Sequence, residues 1–104
     1  MRMLRQLLQK EGWHLAEAGL PIQVGVKFGT SPFGKKHLHL TMAEYFLLVA
    51  GSMKLSVAEQ TLEMEKGDLL VVEPGEKHEV LNCSPDALLL LLMPPPVAGN
   101  KVEL

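Results

Sequence analysis

Between residues 22 and 93 the chain reads as short strand-like runs arriving at regular spacing, separated by turns rich in glycine and proline. Ile22, Val24, Val26 and Phe28 alternate with Gln23, Gly25 and Lys27, the period of a strand with one buried face. Residues 29–34 are turn-forming, after which residues 35–40 can be extended again. Residues 45–49 are apolar, Ala50, Gly51 and Ser52 punctuate, and Met53, Leu55 and Val57 alternate with Lys54 and Ser56, so this stretch reads as a hairpin. Leu62 and Met64 alternate with Glu63 and Glu65, residues 66–68 turn, and residues 69–72 run to Pro74 and Gly75. Residues 78–82 and 87–93 supply two further strands, the second stopped by three prolines that cannot donate to a ladder. Such a rhythm predicts an all-β sandwich or barrel.

With 104 residues, 47% of them hydrophobic, the chain suits one domain over residues 1–104, its core spanning about residues 22–93. The N-terminal segment, residues 1–21, and the tail, residues 94–104, are expected to be peripheral. Leu4, Leu7 and Leu8 stand at helical spacing, so a short helix ending near Gly12 is expected, with an edge strand the competing reading. A formal net charge of −2 without a dense basic block argues against a nucleic-acid partner. The apolar run at residues 87–93 is far shorter than the ~20 residues of a membrane-spanning helix, so no membrane association is expected. Cys83 is the only cysteine, which fits a reducing, cytoplasmic setting.

His37 and His39, two apart on a strand, project from the same face, a natural pair of metal ligands. By itself that pair is as compatible with a solvated or packing role. Glu44 follows across a short connection at the start of the next strand, and His78 heads another strand just after the Pro74-Gly75 turn.

These residues resemble the two motifs of the cupin superfamily. The first, a His-x-His pair, a glutamate and a later glycine, matches His37, His39, Glu44 and Gly51; the second matches Gly67, Asp68, Pro74, Gly75, His78 and Asn82. Two positions depart from the pattern: Ser31 stands where a glycine is usual, and Glu73 where a proline is. The resemblance implies a cupin-type jelly-roll barrel, or double-stranded β-helix, in which His37, His39, Glu44 and His78 converge on one divalent transition metal. Three imidazoles and a carboxylate suit Mn, Fe, Co, Ni, Cu or Zn, whereas Mg and Ca prefer all-oxygen shells. A six-coordinate ion so held keeps two positions for water, dioxygen or a bidentate substrate.

The superfamily includes dioxygenases, oxalate-degrading enzymes and sugar-phosphate isomerases. Few basic residues (Lys27, Lys35 and Lys54) and no arginine fall on the strands, which disfavours phosphorylated sugars. Phe28, Phe46 and Leu48 would line a barrel suited to a small, partly apolar substrate chelating the metal through two oxygens, and dioxygenase-like chemistry is the favoured reading. The alternatives are a non-catalytic ligand-binding or sensory cupin and an isomerase-like one. Asn82 shares the strand parity of His78 and is a candidate second support for the site, Lys35 a candidate contact for an anionic substrate, and His14 a surface or packing residue. If Glu44 points inward, Tyr45, Leu47 and Val49 point outward, and residues 87–93 are apolar on both faces. A homodimer is therefore expected to cover one outer face.

Overall fold

The computed structural model describes residues 3, 5–15, 21–31, 33–95 and 97–104. Its strands are β1 (Gly12–Leu15), β2 (Gln23–Phe28), β3 (His37–His39), β4 (Glu44–Ala50), β5 (Ser52–Val57), β6 (Gln60–Glu65), β7 (Leu69–Val72), β8 (His78–Cys83), β9 (Leu88–Met93) and β10 (Lys101–Glu103). They form two five-stranded sheets, β1-β2-β9-β4-β7 and β10-β3-β8-β5-β6, with every pairing antiparallel. The fold is all-β, as the alternating runs predict. Among the described residues the ladders remain two separate sheets and do not close into one hydrogen-bonded barrel.

The core lies between the sheets. Leu48 and Leu89 from the first meet Leu55 and Met64 from the second, with Phe46, Val57 and Val72 in the same cluster. Strand β4 keeps the expected parity: Glu44, Phe46 and Leu48 are buried, while Tyr45 is exposed and Leu47 and Val49 half-buried on the other face.

Three expectations need correction. The stretch on either side of Gly51 is not a hairpin, because β4 pairs with β7 and β9 while β5 pairs with β6 and β8. Gly51 is instead the corner where the chain crosses from one sheet to the other. It sits at φ +75°, and a Cβ there would lie 2.5 Å from Ser84 Oγ and 2.6 Å from Ala87 Cα, so only glycine fits. The hairpin is β5–β6, whose two-residue loop places Ala58 and Glu59 at φ 49° and 66°.

The second correction concerns β2. Gln23, Gly25 and Lys27 pair with Met93, Leu91 and Leu89, whose side chains face inward, so this is the inner row. Val24, Val26 and Phe28 pair with Leu92, Leu90 and Leu88 on the outer side, where Val26 is nonetheless fully buried and Val24 and Phe28 half-buried. Alternation reports two faces but not which one meets the core, and here the outer face is the more apolar.

Third, among the described residues no α-helix forms at the N-terminus. Leu7–Gln9 is a single 3-10 turn preceded by Gln6 at φ 56°, Leu8 is exposed, and Leu4 lies outside the described residues. An edge strand forms only beyond that stretch, at Gly12–Leu15, paired with β2. The last residues are not idle either, since β10 pairs with β3. Among the described residues no helix is long and apolar enough to cross a membrane.

Candidate metal centre

Sheet pairing assembles the site from both layers. His37 and His78 are direct partners in the β3–β8 ladder, and His39 follows His37 on the same face. Glu44 reaches them from the opposite sheet, as the first residue of β4. The four offer ligand atoms that all lie within 4.8 Å of one another. Imidazole centroids stand 4.3 Å apart for His37 and His78, 5.0 Å for His37 and His39, and 5.8 Å for His39 and His78. Glu44 Oε1 is 3.1 Å from His78 Nε2 and 3.8 Å from His39 Nε2. His39, Glu44 and His78 are buried and His37 is half-buried.

Two of the rings are oriented by the same local device. His37 Nδ1–H donates to the Lys35 carbonyl at 2.8 Å and His78 Nδ1–H to the Glu76 carbonyl at 3.1 Å, in each case two residues back along the chain. Because a carbonyl only accepts, the proton must be on Nδ1, which leaves Nε2 directed at the cluster. His39 is held differently. Asn100 Oδ1 accepts from the Thr41 backbone N–H at 2.8 Å and the Thr41 hydroxyl at 2.9 Å, so its amide nitrogen faces His39 Nδ1, at 3.3 Å. The backbone of His39 is pinned as well, its carbonyl accepting from Gly75 N–H at 2.7 Å. His39 Nε2, buried and aimed into the cluster, is the one buried side-chain polar atom without a hydrogen-bond partner among the described residues. Leaving such an atom unmatched is costly; with the Asn100 amide donating to Nδ1 the neutral ring carries its proton on Nε2, which an acceptor would satisfy and which an ion bound there would displace. The donor set therefore fits a divalent transition metal.

Protonation across the cluster is uneven. Burial pushes the His37 and His39 pKa values down from the ordinary 6.5, and in His39 the neighbouring Glu44 carboxylate only partly opposes it. Burial is also the largest single influence on His78, but the hydrogen bond to Glu44, the Glu76 carbonyl and the charges of both glutamates together outweigh it, and its pKa is raised. Of the three rings, His78 therefore keeps its second proton to the highest pH.

A cavity of about 480 Å³ opens beside the four residues. Phe46, Leu89, Leu91 and Met93 form apolar wall, and Lys27 and Lys35 also line it. Leu48 lies deeper, in the core, and Phe28 does not reach the cavity. Asn82 does not support the site. The β5–β8 register slips between Lys54 and Leu55, pairing them with Asn82 and Val80, and the extra residue turns Asn82 out to solvent beside exposed Lys54. His14 Nε2–H donates to the Lys10 carbonyl at 2.7 Å, away from the cavity. Ser31, in place of the usual glycine, donates its hydroxyl to Glu11, and Glu73 is exposed.

Sequence reasoning missed four contributors: Trp13, Gln23, Asn100 and Lys101 all line the cavity. Asn100 and Lys101 lie beyond the proline run and look like tail. For Trp13 a signal was present, since Gly25 inside a strand pattern marks a close approach by another group.

A two-sheet all-β fold with a His/His/Glu/His cluster between its layers defines a class of protein before any comparison is made. The family profile described as "Cupin domain" matches residues 26–94, and the chain belongs to the cupin superfamily. No curated protein matches it. Among solved structures it is similar to a protein from Planctomyces limnophilus at 12% identity, covering 97% of this chain and 96% of that one with a TM-score of 0.71. A TDP-quinovose 3,4-ketoisomerase from Campylobacter jejuni aligns at 21% identity over 78% of this chain and 68% of that one, TM-score 0.67. KdgF from Halomonas sp. aligns at 20% identity over 75% and 72%, TM-score 0.64. At these identities the likeness concerns the fold alone.

Proposed function

We propose that His37, His39, Glu44 and His78 hold one divalent transition metal and that the chain is a metalloenzyme acting on a small metal-chelating substrate in a dioxygenase-like reaction. The observation that carries this reading is the buried His39 Nε2, unpartnered and aimed into a four-donor cluster beside a cavity. When bound, the metal would supply Lewis acidity toward chelating oxygens and, if redox-active, the means to use dioxygen. The chain's own residues do the rest. The Lys35 and Glu76 carbonyls hold the His37 and His78 rings in position, Asn100 holds His39, and Phe46 with Leu91 keeps bulk water from the centre. Half-buried His37 stands on the side from which a substrate enters.

The test is metal analysis of the purified protein, then reconstitution with Fe(II) and oxygen-uptake screening against small chelating acids. Bound metal with oxygen consumption supports the proposal. Failure to bind any first-row divalent ion refutes the metal centre, and ligand binding without turnover assigns the chain to the non-catalytic, sensory cupins.

The assembly that accompanies this reading is a homodimer through the outer face of the first sheet. Two cross-strand rows support it, Val24-Leu92-Tyr45-Val71 across four strands and Leu90-Leu47-Leu69 across three, the second ending at Val26, which is already covered within the protomer. A reducing compartment suits the lone thiol of Cys83, whose pKa burial pushes up and whose reactivity is correspondingly low.

A further inference from the structure

Trp13, the only tryptophan, stands on edge strand β1 directly opposite Gly25 of β2, on the inner face. A Cβ at Gly25 would lie 2.9 Å from Trp13 Cζ3, 3.0 Å from Cε3 and 3.1 Å from Cη2. Three adjacent ring atoms at nearly equal distance mean that the face of the indole, not its edge, rests on the glycine. An edge-on ring would leave the outer two atoms much farther away than the middle one. Gly25 has no positive φ, so its backbone tolerates any residue, and the space taken by the indole is what requires glycine. One face of the ring is thus seated. The residue is nevertheless 46% exposed, and it lines the same cavity as the four metal-centre residues. A flat aromatic surface is therefore presented to whatever enters.

The charges around this cavity have a sign. Lys101 is the cross-strand partner of His39, and Lys35 lies two residues before His37. Both are exposed and line the cavity, and among the described residues neither is paired with a carboxylate. The Lys101 charge is felt by both His37 and His39, whose pKa values it helps to lower. The remaining lysine, Lys27, is 4.0 Å from Glu11 and lies over the Phe33 ring. Three lysines face Glu44 and Glu79, and a divalent ion on the cluster would add to the positive side.

We infer that the cavity is a site for a ring-bearing carboxylate, its ring stacked on the free face of Trp13 and its carboxylate met by Lys35 and Lys101. This inference rests on the metal-centre reading for the ligand's chelating oxygens, while the ring and lysine contacts belong to the chain itself. Flat aromatic acids and sugar acids share this chemistry, since both present a face to indole and an anion to ammonium groups.

Trp13 emission gives a readout free of catalysis, because no other tryptophan contributes. Zinc, redox-silent, is titrated first by calorimetry; then salicylate, galacturonate, glycolate and salicylamide are titrated into the zinc-loaded protein while Trp13 fluorescence and heat are followed. The expected result is that salicylate or galacturonate perturbs the emission and binds more tightly than ringless glycolate, and that neutral salicylamide binds more weakly than salicylate. Whichever of the two ring acids binds better identifies the source. Trp13→Leu should weaken the ring acid roughly fivefold or more, with Trp13→Phe recovering most of the loss. Lys35→Gln with Lys101→Gln should remove the preference for salicylate over salicylamide. Trp13 lies half exposed on an edge strand, so its variants should stay folded by circular dichroism and keep their zinc stoichiometry. Equal binding of ring acids and glycolate, or no effect of Trp13→Leu on a folded, zinc-loaded variant, overturns the inference. Absence of zinc binding refutes the metal centre separately; salicylate titration of the metal-free protein then decides the platform, with unchanged emission overturning it.

Discussion

Glu44→Gln is the most informative single change, because Glu44 is the only carboxylate in the cluster and the leading group that raises the His78 pKa. Glutamine has nearly the same shape, so packing is preserved and only charge and ligand strength change. In the wild-type protein burial alone would lower the His78 pKa, and the hydrogen bond and charge of Glu44 are the leading opposing influences. Removing them should turn the direction of the shift, from above 6.5 to below it. The consequence for the metal-free protein follows from linkage. A raised His78 pKa contributes stability that is fully present below pH 6.5 and is lost as pH climbs through the folded value. A lowered one does the opposite: the unfolded chain takes up the proton first, and stability falls as pH drops below 6.5. The two proteins should therefore differ little once the pH exceeds the raised His78 value and diverge on acidification, by about 1.4 kcal/mol for each unit separating their folded His78 values. Urea denaturation of both proteins from pH 5 to pH 8, with imidazole NMR following His78 directly, measures this. Zinc affinity at pH 7.5, by competition with a chromophoric chelator, should fall at least ~100-fold, about 2.7 kcal/mol. If Glu44→Gln binds zinc within threefold of wild type, the carboxylate's place among the ligands is wrong; if its His78 still titrates above 6.5, its hold on His78 is wrong.

Zinc must displace the His78 proton, so affinity should rise about tenfold per pH unit from 6.5 up to the raised His78 value and then level off; a flat profile in calorimetry across that window contradicts the assigned protonation. Asn100→Asp replaces the amide facing His39 Nδ1 with an acceptor, favours the tautomer whose Nε2 lone pair meets the metal, and should tighten zinc about tenfold; weaker binding would count against the role of Asn100. Replacing Ala58-Glu59 by Asn-Gly suits the two positive φ values of the β5–β6 loop and should stabilise the protein by about 1–2 kcal/mol, read as a rise in Tm, and an unchanged or lowered Tm would contradict the loop conformation. Leu90→Glu, in the middle of the outer apolar row, should convert a dimer into a folded 11.5 kDa monomer by light scattering; a wild-type protein already monomeric at micromolar concentration rules the dimer out.

Much of this protein is legible in its sequence because the relevant signals are local. Alternation of two marks strands wherever one face meets a core, turn residues separate them, and a His-x-His pair on a strand places two imidazoles on one face without help from the rest of the chain. The side chains of the candidate centre, His37, His39, Glu44 and His78, were all identifiable on that basis together with the family motifs.

What the tertiary structure decided depends on register between distant segments. The row of β2 that faces inward is chosen by its pairing with β9, and since β9 is apolar on both sides, the pattern of Val24, Val26 and Phe28 could not choose it. The change of sheet at Gly51 follows from the close approach of residues 84 and 87, which no reading of the neighbouring residues reveals. One extra residue in β8 turns Asn82 outward, and the support for His39 comes instead from Asn100, 61 residues further along the chain. Trp13, Asn100 and Lys101 join the site from segments that look peripheral because their contacts are made across strand pairings. Strand parity is a property of a few adjacent residues; the partner each strand finds is a property of the whole chain, set by many small packing and hydrogen-bond differences that a single segment does not carry.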